Sequence, residues 1–165
     1  MKIIFSKKTS CLLLFLIGIV LYSNTLSGGF VWDDHYLIEY NARLKTPAAI
    51  IDFFTKDFWQ NSSIHFNSGF YRPVTLLTFF VNYNLWNGQP FGFHFFNVVL
   101  HSINGVLIFL ILLYLTQNTF VSFISGLFFI IHPVQTEVVA YIADINDILL
   151  VFFLLLCWRY YLFFV

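Results

Sequence analysis

Two adjacent carboxylates and an imidazole, Asp33, Asp34 and His35, follow directly on an apolar run in the stretch GGFVWDDHYLIEYN. A second acidic set, Glu137, Asp144 and Asp147, follows His132-Pro133 much later in the chain. Charged groups at membrane depth cost about 2.5–3.5 kcal/mol each, so a collection near one interface implies a hydrated cavity. There they would bind a polar substrate or conduct protons or cations. Oxygen and imidazole donors of this kind also suit Mg, Mn or Zn, although no spacing here matches a dedicated ligand motif. A third set, His94, Asn97, His101 and Asn104, recurs at intervals of three, four and three in FGFHFFNVVLHSINGVL. That spacing puts all four on one helix face, where they either line a site or hydrogen-bond neighbouring helices.

The elements that must carry these residues are membrane helices. The chain is 59% hydrophobic, 22% aromatic and only 10% charged, and its mean hydropathy is +0.81, far more apolar than a soluble domain. Cys11 and Cys157 both lie inside apolar runs and read as small hydrophobes. Formal net charge is zero, which leaves no electrostatic basis for binding nucleic acid. The fold class expected is an all-α membrane protein, a single polytopic module over 1–165. Windows of about 20 apolar residues give four transmembrane helices near 11–30, 91–115, 120–132 and 145–165. The third is short, and Pro133 should stop or kink it. Lys2, Lys7 and Lys8 ahead of the first run would also fit a cleavable signal peptide, but SNTLSGG followed by FVW extends it to spanning length.

Those lysines put the N-terminus in the cytoplasm, and with it the segment 31–90 and the His132–Asp144 turn on the outer side. Arg43, Lys45, Lys56 and Arg72 in the outer segment run against the positive-inside rule, but a loop of that length crosses largely regardless of charge. Within it, Thr46-Pro47 starts an amphipathic interfacial helix towards Trp59, and Pro73, after Arg72, starts a second that is interfacial or re-entrant. Asn61-Ser62-Ser63 matches a glycosylation acceptor. Two residues of this stretch have structural readings: Asp144 as the cap of the last helix, and Thr136 as the cap of one beginning at Glu137. Capping explains one carboxylate of the later set rather than three.

FVWDD, YRPV with LT, PFGFHFFNVVLH, HPVQTEVVAYI and NDILL, in that order, resemble the N-terminal module of the TPR-containing transmembrane O-mannosyltransferases and their bacterial relatives. The resemblance implies a partial GT-C fold and a lipid-phosphate sugar donor, dolichyl phosphate mannose in eukaryotes or a polyprenyl phosphate sugar in bacteria. The sugar would pass to an acceptor protein or glycan hydroxyl on the luminal or periplasmic side. It further implies an acidic base in the first outer loop, at Asp33 or Asp34. Chemistry agrees, since a hydroxyl needs a carboxylate to take its proton and a leaving lipid phosphate needs cationic or hydrogen-bond stabilisation. Glu137, His132 and Asp147 are then expected at the acceptor and donor sites, and Arg72 and His94 at the lipid phosphate.

Residency would be the endoplasmic reticulum membrane in a eukaryotic host or the inner membrane in a bacterium. In one respect the chain departs from the pattern: relatives commonly read GRNDLL or GRADLL where Asp144 and Ile145 stand. TPR repeats are absent, and the end in CWRYYLFFV reads as truncated, so a second chain is expected to complete the fold. A non-catalytic fragment or subunit of a larger assembly is the alternative function. A small transporter or channel component would require polar residues through the whole membrane depth, whereas the inner halves of the spans are apolar.

Overall fold

In the computed structural model, which describes residues 6–164, Ser6 opens the first helix by accepting a hydrogen bond from the Thr9 amide at 3.1 Å. This helix, α1, runs over Lys7–Leu21. It ends well before residue 30 for a local reason. Ser23, Thr25 and Ser27 turn their hydroxyls back onto the carbonyls of Val20, Tyr22 and Asn24, competing with helical pairing and tightening the chain into a 3-10 turn over Ser23–Ser27. Lys2 lies outside the described residues.

The remaining helices are α2 (Ile50–Thr55), α3 (Pro73–Leu85), α4 (Pro90–Thr116), α5 (Thr119–Ile131), α6 (Gln135–Ala140) and α7 (Ile145–Phe164). Among the described residues the architecture is all-helical with no strand. Two helical stretches, Pro90–Thr116 and Ile142–Phe164, are long and apolar enough to cross a membrane. At 15 and 13 residues, α1 and α5 fall short of the expected spanning length. Residue 165, the last of the expected fourth span, lies outside the described residues.

At the centre is α4, packed against α1, α5 and α7. Small residues permit the close approach. A methyl group on Gly18 of α1 would lie 2.2 Å from Ser102 Oγ, and one on Gly126 of α5 would lie 2.8 Å from the Gly105 carbonyl. The expected polar face of α4 is buried, and its hydrogen bonds are interhelical. Asn97 Nδ2 donates to the Tyr141 carbonyl at 3.3 Å and Asn104 Nδ2 to the Ile148 carbonyl at 3.1 Å. His101 Nε2 lies 3.4 Å from the Ile130 carbonyl, to which the Tyr22 hydroxyl donates at 3.0 Å. That carbonyl needs outside partners because α5 stops at Ile131, ahead of His132-Pro133.

Segment 31–72 is an ordered cap. Leu37, Ile38, Leu44, Phe53 and Phe58 pack with Leu76 and Phe79 of α3, Phe93 of α4 and Ile145 and Ile148 of α7 in one apolar cluster. Burying a side chain such as Phe53 stabilises this arrangement by about 1.5–3 kcal/mol. The helix expected over residues 46–59 is interrupted: Pro47–Ala49 is 3-10, α2 follows, and the chain is extended at Lys56. Asn61 is fully buried, and its Nδ2 donates to the carbonyls of Asp52 (3.3 Å) and Asp57 (2.9 Å). The glycosylation pattern there is sequestered, because the amide that would carry a glycan knots the cap together.

Candidate functional site

The turn after Gly28-Gly29 is held by one side chain. Asp34 is fully buried; its Oδ2 accepts from the Val31 amide at 3.1 Å and its Oδ1 from the Ala143 amide at 2.9 Å. The second bond ties the start of the cap to the 3-10 turn Ile142–Asp144 that leads into α7. Burial pushes the Asp34 carboxyl up to about 6, against the two amide bonds, which favour its ionised form.

Asp33, next in the chain, is exposed. The turn therefore separates the adjacent carboxylates into one that is locked and one that faces outward. Between Val31 and Asp33, Trp32 is left-handed, with φ 48°, a conformation that costs a bulky residue about 1–2 kcal/mol. Its ring meets Tyr141 edge-on at 5.8 Å between centroids. The Tyr141 phenol is pushed up to about 12 by burial and by the nearby negative charge of Asp33.

Two grooves flank this turn and α7. One, of about 330 Å³, is lined by Val31, Trp32, Glu137, Ala140 and Tyr141. The other, of about 370 Å³, is lined by Arg72 and Tyr71, by Asn146 and Asp147, and by the apolar Leu149, Leu150 and Phe153 of α7. Arg72 Nη1 donates to Asn146 Oδ1 at 3.2 Å, and Asn146 Nδ2 donates to Asp147 Oδ1 at 2.5 Å. The guanidinium also lies over the rings of Phe58 (5.4 Å) and Phe70 (5.0 Å), contacts that help hold it beside the groove. Between the grooves, Asp144 is within electrostatic range of Asp147, Glu137, Arg72 and Asp33.

The structure thus groups Asp33, Asp34, Glu137, Asp147 and Arg72 around Asp144. His94 is set apart. It is 4% exposed, with neither ring nitrogen in a well-formed hydrogen bond, and it lies under the Gly28 backbone so closely that a methyl group there would sit 2.9 Å from its Nε2. His132 caps the turn after α5, its Nδ1 accepting from the Val134 amide at 3.2 Å while its ring meets Phe128 at 5.0 Å. Thr136 does not cap α6, which begins one residue earlier at Gln135. Asp144 precedes α7, but no hydrogen bond from its carboxylate to that helix is present among the described residues. Also among the described residues, no three His, Cys, Asp or Glu side chains converge to hold a metal ion.

Sequence reasoning did not single out Trp32, Tyr141 or Asn146. Trp32 and Tyr141 stand in FVWDD and VVAYIAD, where adjacency to the acidic residues was the available signal. Ile145, where the resemblance leads to the expectation of an arginine, is 1% exposed and part of the main apolar cluster.

No family model matches the chain, and no solved structure matches it significantly. Among curated proteins it is 34% identical over 147 residues to protein O-mannosyl-transferase F38B6.6 of Caenorhabditis elegans, covering 86% of this chain and 21% of that protein. It is 36% identical over 156 residues to protein O-mannosyl-transferase TMTC4 of Homo sapiens, covering 85% of this chain and 21% of that protein. With protein O-mannosyl-transferase Tmtc1 of Drosophila melanogaster it shares 33% identity over 133 residues, covering 80% and 16%. The chain therefore spans about a fifth of the length of the curated relatives it matches. By these matches over most of its length, the chain is a relative of the protein O-mannosyl-transferases.

Proposed function

We propose that this chain is a membrane module for sugar transfer, moving a mannosyl group from a lipid-phosphate donor to a protein hydroxyl on the outer side of the membrane. What carries the reading is the division of labour between neighbours: Asp33 exposed, Asp34 buried and pinned by two backbone amides. Asp33 is the general base and Asp34 the residue that positions it. As the acceptor oxygen bonds to the anomeric carbon, its proton passes to the Asp33 carboxylate. The bond from that carbon to the donor phosphate oxygen breaks, and the electron pair leaves on the lipid phosphate.

Arg72 meets that developing charge from the groove whose other wall is the apolar face of α7. The donor's lipid chain lies along Leu149, Leu150 and Phe153, with Asp147 at the sugar and Glu137 at the acceptor. His94, set apart beneath the Gly28 backbone, supports the turn that leads to Asp33 rather than touching the lipid phosphate, and His132 caps the turn that leads to Glu137. The wider reading is a partial GT-C fold with four spans, of which α1 and α5 are the short ones, and the N-terminus in the cytoplasm. Membrane lipids surround it, in the endoplasmic reticulum or the bacterial inner membrane, and a second chain supplies any missing wall.

The second reading, a non-catalytic subunit, draws on Ile145, whose buried apolar side chain stands where an arginine is usual. The experiment that separates the two follows labelled mannose from a polyprenyl-phosphate donor to a threonine peptide, in membranes carrying the protein or its Asp33→Asn variant. Transfer by the wild type and none by the variant supports the enzyme. Equal transfer by both overturns the assignment of the base.

A further inference from the structure

Trp32 combines two properties that folding alone does not reward. Its backbone is left-handed at φ 48°, and its side chain is 75% exposed, so burial does not offset the strain. Strain retained at one position points to a role there. The ring is not loose, because it stands edge-on to Tyr141, and the turn beneath it is clamped by Asp34. It forms one wall of the 330 Å³ groove, with Glu137 as that groove's only charged lining residue. Glu137 is exposed and has no cationic partner among the described residues. Asp33 is the next residue in the chain.

We infer that the groove between Trp32 and Glu137 is the subsite for the acceptor polypeptide, and that it selects extended segments with a basic side chain beside the reacting serine or threonine. The inference rests on the transferase reading and adds the acceptor's character to it. Trp32 supplies a flat apolar wall for the peptide's side chains. Glu137 pairs with the acceptor's cation, and the Asp33 and Asp144 charges nearby repel acidic segments. The lipid donor keeps to the separate Arg72 groove, so the two substrates approach by different faces.

The test uses the full chain in lipid nanodiscs and fluorescein-labelled short peptides with a central threonine flanked by lysines or by glutamates. Anisotropy should show the lysine peptide binding more tightly to the wild type. Trp32→Ala should weaken it about tenfold and Trp32→Phe much less, since one decade corresponds to ~1.4 kcal/mol. Glu137→Lys should reverse the preference, favouring the glutamate peptide by about fivefold, an outcome that a misfolded protein cannot give. Asp33→Asn should weaken the discrimination against the glutamate peptide without reversing the preference. No binding to the wild type, or the same preference in Glu137→Lys, overturns the inference. Peptide binding with no mannosyl transfer in membranes carrying the protein would sink the transferase reading and leave the peptide groove standing; transfer there indifferent to Trp32 and Glu137 would do the reverse.

Discussion

The carboxylate of Asp34 accepts a hydrogen bond from the amide of Ala143 at 2.9 Å, joining chain positions 109 residues apart. Through that bond the turn carrying Asp33 and Trp32 is fixed to the turn that starts α7, which brings the acidic residues of both together. Replacing Asp34 with Ala leaves the buried Ala143 amide and the part-buried Val31 amide without their partner, at about 1–3 kcal/mol. The measurable outcome is a lower melting temperature in detergent, together with faster proteolysis after residue 30.

The same carboxyl makes stability depend on pH. Its folded value, about 6, lies above its unfolded value, 3.8, so the folded protein binds the proton more tightly. Its stabilising contribution is full below 3.8 and is lost as pH rises through about 6. Melting temperature against pH should therefore fall across that window in the wild type. In Asp34→Asn the decline should flatten, and an unchanged slope would place the titration elsewhere.

Arg72 reaches Asn146 and stands over two phenyl rings. Lysine keeps the charge but loses the planar fork. For Arg72→Lys the expectation is a rise in KM for the lipid-phosphate donor of about tenfold, with acceptor KM unchanged. Arg72→Ala should raise it further. Kinetics with each substrate varied in turn decide this.

Gly126 meets the Gly105 carbonyl so closely that a methyl group has no room. Gly126→Ala must part α4 from α5, at about 1–3 kcal/mol. Gly29→Ala meets nothing and should leave the melting temperature unchanged. Comparing the two variants in one detergent tests whether the small-residue contact holds the bundle.

Periodicity and proline made much of this legible in advance. The spacing of His94, Asn97, His101 and Asn104 predicted one face of α4, and that face does hydrogen-bond across helices. Pro73 and Pro133 marked a helix start and a helix end. The end of α1 was not legible, because the apolar FVW beyond SNTLSGG extends the first run to spanning length, while the serine and threonine hydroxyls take over backbone carbonyls from residue 20. Nor could the sequence distinguish Asp33 from Asp34. Which of two neighbours turns inward depends on where the Ala143 amide arrives, a long-range fact with no local signature. The Arg72–Asn146 contact, 74 residues apart, was hidden for the same reason.

The most direct measurement takes Asp33→Asn and Asp34→Asn side by side, scoring mannosyl transfer and melting temperature on the same preparations. Asp33→Asn should lose transfer and melt like the wild type, whereas Asp34→Asn should change the melting behaviour and retain part of the activity. If instead Asp34→Asn abolishes transfer with melting and its pH dependence unaltered while Asp33→Asn stays active, Asp34 is the base and the roles assigned to the two carboxylates are overturned.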